Sequence, residues 1–230
     1  MAEAEGRVET APFYWLMEPW GEANTMFFGV NKREDILLAG LKLFSARGFE
    51  NITLSEIQAN AGVSIATFYR HFGSKEQLVN EIYRDLRRLL ETKLAAALIE
   101  GESARAQFRK LWVQMMVFHR EYPGVIDFLE NRHHGAYLDE HSRALEHLPQ
   151  PIVALMENMS RDRAARSVSP IVLAALVWGA FVELIRLRSQ EYLSLSEVEL
   201  KAAEECTWDA IRAVSSESEG VIASVTPQPA

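Results

Sequence analysis

The chain has 230 residues, of which 48% are hydrophobic and 24% are charged, a composition that excludes an intrinsically disordered protein. Its single cysteine, Cys206, excludes an internal disulfide framework and is typical of a reducing cytoplasm. The formal net charge of −8 argues against nucleic-acid binding by the whole surface. Residues 31–93, however, carry ten Lys and Arg and only eight Asp and Glu. This mildly basic segment could bind phosphate.

Residues 1–30 have scattered aromatic side chains among prolines and glycines and no sustained helical or strand period. The stretch from Met1 to Glu9 is acidic and lacks the basic-then-apolar order of a secretory signal. We therefore expect residues 1–30 to form a flexible N-terminal arm.

The pattern becomes helical from Lys32, and glycines and caps divide the next part of the chain into four helices. Gly48 is expected to end the first helix with a left-handed cap. Thr53 to Glu56 is a capping box that begins a second helix, which Gly62 ends. Ser64 can cap a short third helix through about His71. The run from Ser74 to Gln77 is a second capping box and begins a long helix through about Leu98.

Two short helices with a tight turn between them and a supporting helix on each side form a helix-turn-helix. The run from Thr53 to Leu78 reads TLSEIQANAGVSIATFYRHFGSKEQL and resembles the DNA-binding signature of the TetR (tetracycline repressor) family. The resemblance covers roughly residues 32–80, where glycines, aromatics, caps and lysine agree in order and spacing. It implies an all-α protein, with a three-helix DNA-binding domain at 31–92 and a helical ligand-sensing and dimerisation domain at 93–214.

The third helix of such a motif buries one face and offers the other to the major groove of DNA. Val63, Phe68 and Phe72 suit the buried face. The open face then holds Ile65, Ala66, Thr67, Tyr69 and Arg70, and only Arg70 among them could grip guanine with two hydrogen bonds. The resemblance implies that phosphates are held by Tyr69, His71 and Lys75 and by the hydroxyls of Thr53 and Ser64. Each hydroxyl could instead serve only as a helix cap.

Beyond residue 100, helical patterns run at about 104–121, 122–134, 137–160, 170–190 and 196–214, and residues 215–230 are expected to be a disordered tail. The longest apolar run, from Ile171 to Val182, ends at Glu183, so we expect a buried helix and no membrane partner. That helix is apolar on most sides and needs covering by its own chain and by a partner.

The resemblance implies a homodimer through the last two helices, a ligand pocket in the C-terminal domain and double-stranded operator DNA as partner. The candidate pocket residues are large and apolar, and each would serve equally as plain core: Trp112, Met116, Phe128, Trp178 and Phe181. We expect no cofactor, no catalysis and a cytoplasmic location. The leading hypothesis is a repressor that responds to an unknown small-molecule effector.

Five of the six histidines lie between residues 119 and 147, namely His119, His133, His134, His141 and His147. With nearby carboxylates they could form a metal site, although no His-Glu-x-x-His motif is present. A metal-dependent enzyme or metal sensor is therefore the alternative function. A further alternative is a helical interaction protein that has lost its operator, against which the intact Tyr69, His71 and Lys75 argue.

Overall fold

The computed structural model describes residues 31–130, 136–189 and 196–214, and these residues contain ten α-helices and no strand. The first four are α1 (Lys32–Arg47), α2 (Leu54–Ala61), α3 (Ile65–His71) and α4 (Lys75–Ala95). The others are α5 (Ala104–Glu121), α6 (Val125–Glu130), α7 (Glu140–Arg143), α8 (Gln150–Arg161), α9 (Pro170–Ser189) and α10 (Glu197–Ile211). The all-α prediction is confirmed, whereas the arm at 1–30 and the tail at 215–230 lie outside the described residues.

The described residues fall into two compact units. The first unit combines residues up to Lys93 with residues from Met116 to His147, and the second combines Leu94–Met115 with the residues from Leu148 onward. The first unit therefore contains the helix-turn-helix together with a later segment of the chain. The predicted domain boundary after residue 92 stays a prediction.

Local capping explains where the first helices begin and end. Asn31 Oδ1 accepts the N–H of Arg33 at the start of α1, and the N–H of Gly48 donates to Phe44 O at its end. Gly48 has the predicted positive φ of 73°, but its ψ of 161° lies outside the left-handed helical region, so the expected cap conformation was only half right. Gly62, which ends α2, has the left-handed conformation (φ 60°, ψ 40°).

The second capping box also differs in detail from the prediction. Ser74 Oγ accepts the N–H of Gln77, as expected. The side chain of Gln77, however, accepts the N–H of Gly73 rather than that of Ser74. The hydrogen bond from the backbone to the Gln77 side chain therefore starts one residue earlier than in a standard capping box, but it still satisfies a free amide before α4.

The core of the first unit lies between α1, α2, α3 and α4 and is made of fully buried aromatic and aliphatic side chains. These include Ile36, Leu37, Phe44, Ile57, Phe68, Phe72, Leu78 and Ile82. Gly40 makes the close approach of α1 to α4 possible, because a Cβ at this position would lie 2.9 Å from Leu78 Cδ2 and 3.0 Å from Ile82 Cδ1.

The helix predicted over 137–160 is wrong, because the chain there forms two helices, α7 and α8. Pro149 is the N-cap of α8 and Pro151 occupies its first turn. Since a proline cannot donate a backbone hydrogen bond to the preceding turn, a helix cannot continue through this segment. The helix predicted over 122–134 begins only at Val125, after the turn at Pro123 and Gly124, and residues 131–135 lie outside the described residues.

The second unit packs α8, α9 and α10 around a core that includes Ile152, Met156, Leu173, Val177, Phe181 and Ile211. Glu204 on α10 is buried and pairs with Arg105 and with Arg109, both on α5. The segment before α9 pairs with the end of α10, where Arg166 N donates to Ile211 O and Ala213 N donates to Ala164 O, both at 2.8 Å.

Helix α9 has a mean hydropathy of 1.9 over Pro170–Leu187, enough for a membrane span by length and composition. A core helix of a soluble protein passes the same test. One face of α9 is buried within its own unit, as predicted, and only the opposite face is exposed.

Candidate nucleic-acid interface

Helix α3 has one buried and one exposed face, as the sequence predicts. Phe68 is fully buried, and Phe72, the C-cap residue, is buried beside it with the two ring centroids 5.9 Å apart. On the other side, Ile65 is 50% exposed and Tyr69 is 52% exposed, an unusual position for large apolar side chains. Ala66 and Arg70 are exposed on the same helix. This face is available to a partner of the first unit.

The start of α3 is held by a small hydroxyl network. Ser64 is the N-cap, and its Oγ accepts the N–H of Thr67 at 3.1 Å. The two hydroxyl oxygens of Ser64 and Thr67 are themselves 3.0 Å apart. Both hydroxyls are therefore engaged in the cap. The contact of Ser64 with phosphate, and that of Thr67 with a base edge or a phosphate, stay predictions.

The start of α2 is the stronger of the two caps in this motif. Thr53 Oγ1 accepts the N–H of Glu56, whose carboxylate accepts the N–H and the hydroxyl of Thr53, each at 2.8 Å. Arg47 donates to the same carboxylate at 2.6 Å. The Thr53 N–H, and after it the Arg47 guanidinium, lower the pKa of the Glu56 carboxyl from its usual 4.5 to about 2. Glu56 is therefore ionised across the physiological range, which keeps Arg47 bound to it.

Lys75 has a structural role that the sequence did not indicate. Its Nζ donates to Phe49 O at 2.9 Å and to Ile52 O at 2.8 Å, and it lies 4.1 Å from the Phe49 ring centroid. Two of its three ammonium hydrogens are thus used on the loop between α1 and α2, which leads into the N-cap Thr53. Lys75 positions that loop, and its predicted contact with phosphate would use the third hydrogen.

Most cations of the helix-turn-helix segment are already paired. Of the ten Lys and Arg in residues 31–93, six form ion pairs with carboxylates: Lys32, Arg33, Arg47, Arg84, Arg87 and Arg88. Lys75 is bound to backbone carbonyls, and Lys93 lies over the Tyr122 ring. Among the described residues, Lys42 and Arg70 have no carboxylate within ion-pair distance. Arg70 is therefore exposed on the open face of α3, and no carboxylate of the described residues pairs with its guanidinium.

Sequence reasoning missed a set of contacts that join the segment after residue 135 to the helix-turn-helix. The Tyr137 ring lies 3.9 Å from the Phe49 ring, and its hydroxyl donates to Glu50 at 2.6 Å. Asn80 on α4 donates to Tyr137 O and accepts the N–H of Asp139. The residues in these contacts are 57 or more positions apart in the chain, so helical spacing and local motifs do not indicate them. The only local signal is Asp139, which is the N-cap of α7.

The predicted ligand-pocket residues are divided between the two units. In the second unit, the Trp112 and Phe181 rings meet edge to face at 6.3 Å, and the Trp178 and Phe181 rings are 5.4 Å apart. In the first unit, Phe128 is buried and Met116 is half-buried. A cleft of about 630 Å³ in the second unit is lined by other, mostly polar residues, among them Glu102, Gln107, Asn158 and Arg161. The predicted pocket stays a prediction.

The histidine cluster gains no support from the described residues, which contain no group of three potential metal ligands. His147 serves a different purpose, because Arg87 donates to its carbonyl at 2.6 Å and lies 3.2 Å from its Nδ1. His133 and His134 lie outside the described residues. Nothing in this geometry favours the metal-dependent alternative.

Two parts of the chain match known protein families. Residues 36–82 match the family described as bacterial regulatory proteins, tetR family, and residues 82–213 match the tetracyclin repressor-like C-terminal domain. Among curated proteins, the nucleoid occlusion factor SlmA of Idiomarina loihiensis is 26% identical over 155 residues, which cover 64% of this chain and 78% of that protein. SlmA of Escherichia coli K12 is 27% identical over 137 residues, covering 59% of this chain and 69% of that protein.

Solved structures share the fold. A TetR family transcription regulator from Marinobacter aquaeolei has a TM-score of 0.69 at 19% identity, covering 80% of this chain and 96% of that chain. A TetR family protein from Vibrio parahaemolyticus has a TM-score of 0.64 at 22% identity, covering 80% and 100%. The family match spans both the helix-turn-helix and the helices that follow it. The chain therefore belongs to the TetR family of bacterial DNA-binding transcriptional regulators.

Proposed function

We propose that this protein is a ligand-responsive homodimeric repressor in the cytoplasm, which reads an inverted-repeat operator with α3 of each subunit and is released from DNA by a small-molecule effector. The single observation that carries the proposal is the open face of α3, on which Ile65, Tyr69 and Arg70 are exposed. The opposite face of the helix is held in the core by the buried Phe68. Because members of the family bind DNA, we infer that the partner of this face is DNA.

The dimer is supported by the exposed face of α9. Ile171, Val172 and Leu176 are 51%, 46% and 50% exposed, and they recur at helical spacing with Ala175 and Gly179 on the same side. Between Pro170 and Val182 the helix has no charged residue. A contiguous apolar stripe of this kind favours a protein partner over water. A second copy of the chain fits, because a homodimer reads two half-sites of an inverted repeat.

The pairing of α9 with α10 extends this surface. Val198 on α10 is 77% exposed, and Ala202 and Ala210 are exposed on the same helix. In the proposed dimer, α9 and α10 of both subunits form a four-helix interface. An effector that binds in the C-terminal helices would shift the population toward an arrangement with the wrong half-site spacing, which weakens DNA binding.

The first test is selection of binding sites by the purified full-length protein from a random duplex library at two salt concentrations. We expect an inverted repeat. Since most Lys and Arg of residues 31–93 already have a partner among the described residues, we expect roughly two or three phosphate-neutralising cations per subunit. The slope of log K against log salt should then be about −4 to −5 for the dimer. A slope near −8 would mean that ion pairs such as Arg47–Glu56 open on DNA. No enrichment at either salt would contradict operator binding by the unliganded protein.

The curated relatives suggest a second candidate, a role in nucleoid occlusion, because the matching segment covers more than two thirds of each SlmA compared. Mapping of binding sites across the chromosome separates the two functions. A repressor occupies a few promoters, whereas a factor that acts on the nucleoid as a whole should occupy many dispersed sites. Sites restricted to promoters would contradict the second candidate.

A further inference from the structure

We propose that α3 selects its half-site mainly through thymine methyl groups, with Arg70 reading one guanine. This inference rests on the proposed function, because it names the kind of DNA sequence that the open face of α3 takes. It concerns base composition, which neither the family nor the relatives specify.

The side chains of α3 limit what it can recognise. Its seven residues are IATFYRH, with no Asn, Gln, Asp, Glu or Lys. Adenine is read with two hydrogen bonds by Asn or Gln, and the cytosine amino group donates to Asp or Glu, so α3 lacks the side chains that these two bases prefer. The exposed Ile65 and Ala66 can offer only apolar contacts, and in the major groove the thymine 5-methyl group is the apolar feature.

The hydroxyls near the start of α3 do not change this conclusion. Ser64 Oγ accepts the N–H of Thr67, and the two side-chain oxygens share a hydrogen bond at 3.0 Å. This network already caps the helix. Moving the Ser64 hydroxyl to a base edge would leave the Thr67 amide without a partner, and moving the Thr67 hydroxyl would break its hydrogen bond with Ser64. The ring of Tyr69 is half exposed and adds further apolar area to the same face.

Arg70 is the exception on this face. It is exposed, and among the described residues it has no carboxylate within ion-pair distance. Arg47, at the end of α1, is instead held by Glu56. A free guanidinium can donate two parallel hydrogen bonds to O6 and N7 of guanine. Arg70 is therefore the side chain of α3 suited to read a guanine.

Helix geometry sets the length of the sequence that is read. Ile65, Ala66 and Tyr69 share one face, and the rise from Ile65 to Tyr69 is about 6 Å at 1.5 Å per residue. Successive base pairs are about 3.4 Å apart, so this face spans two or three base pairs. We expect a short run of thymines in each half-site, with a guanine next to the end contacted by Arg70.

The test uses the operator recovered by selection and the full-length dimer. Each thymine is replaced in turn by deoxyuridine, which removes only the 5-methyl group, and each guanine by 7-deazaguanine, which removes N7. We expect two or three positions per half-site where uridine lowers affinity about fourfold, the effect of one lost methyl contact. We expect one position sensitive to 7-deazaguanine, and Arg70→Ala should remove that sensitivity.

A matched pair of variants identifies the reader of each methyl group. Ile65→Ala should remove the sensitivity to uridine at one position, whereas Val113→Ala, an equally exposed aliphatic change on α5, should leave all positions unchanged. Melting temperatures of both variants check that they fold. An operator that is recovered but indifferent to uridine at every position overturns this inference and leaves the proposed function intact. If no inverted repeat is recovered, the proposed function itself fails.

Discussion

The open face of α3 and the exposed stripe of α9 both place large apolar side chains in water, but they differ in what surrounds them. On α3, Ile65 and Tyr69 alternate with the cation Arg70 and follow a hydroxyl cap. On α9, Ile171 and Leu176 belong to a run without any charge. A mixed surface suits the hydrated and charged major groove, whereas an uninterrupted apolar stripe suits another protein surface. The kind of partner that an exposed apolar surface binds is therefore indicated by the polar and charged residues around it.

The largest expected effect comes from breaking the α9 stripe. Leu176→Glu places a charge on the proposed interface, where burial without a partner is costly. We expect the protein to become a monomer in light scattering and to lose at least about a hundredfold in operator affinity, because one half-site alone binds weakly. Val113→Glu, an equally exposed change on α5, is the control and should remain dimeric. A dimeric Leu176→Glu protein would place the interface elsewhere.

The next effect separates the two faces of α3. Phe68→Ala removes a fully buried ring and should lower the free energy of unfolding by about 3–5 kcal/mol. Tyr69→Ala changes the neighbouring, half-exposed ring and should leave the melting temperature nearly unchanged while it weakens DNA binding. Chemical denaturation and operator titration measure the two properties separately. Equal loss of stability in both variants would contradict the division of α3 into a core face and a reading face.

The sequence predicted the helix-turn-helix well because the signals there are local. Thr53 and Ser64 cap the helices that follow them, and Gly62 has the left-handed conformation that ends α2. Each signal acts over three or four residues, so the sequence alone contains it. The division of α3 into a buried Phe68 and an exposed Tyr69 follows from helical spacing in the same way.

The missed features depend on contacts that are distant in sequence. Lys75 is an apparent phosphate ligand by its position in the motif, yet its ammonium binds carbonyls 23 and 26 residues away. The stacking of Tyr137 on Phe49 joins residues 88 positions apart in the chain. The break between α7 and α8 is different, because Pro149 and Pro151 are a local signal for it, whereas the helical spacing of the apolar residues favours one continuous helix.

A smaller effect concerns the support of α10, which carries part of the proposed dimer surface. Glu204 is buried and pairs with Arg105 and Arg109, although both arginines are partly exposed. Glu204→Gln removes the charge and should cost about 2 kcal/mol of stability, less than the 3–5 kcal/mol for a fully buried pair. The operator affinity of the folded dimer should not change, because α3 is untouched. A loss of affinity without a loss of stability would mean that Glu204 acts on DNA reading.

The smallest effect is a pH dependence in the cap of α2. The pKa of Glu56 is lowered to about 2, so its contribution to stability is complete above its usual value of 4.5 and is lost as the pH falls from there toward 2. Carbon-13 NMR of the side-chain carboxyl should give a midpoint near 2. Glu199, in the corresponding box with Ser196, also has a lowered pKa, and among the described residues that serine is the donor to its carboxylate.

Arg47→Met tests the cause of the difference between the two boxes. Removal of the guanidinium should raise the Glu56 midpoint only part of the way toward 4.5, because the backbone N–H of Thr53 still donates to the carboxylate. The Glu199 midpoint should not change, because Glu199 belongs to the other capping box. An unchanged Glu56 midpoint would mean that Arg47 is free in solution. In that case Arg47 would be a further available cation of the helix-turn-helix segment besides Arg70, and the salt dependence of operator binding would be steeper than the ion pairs predict.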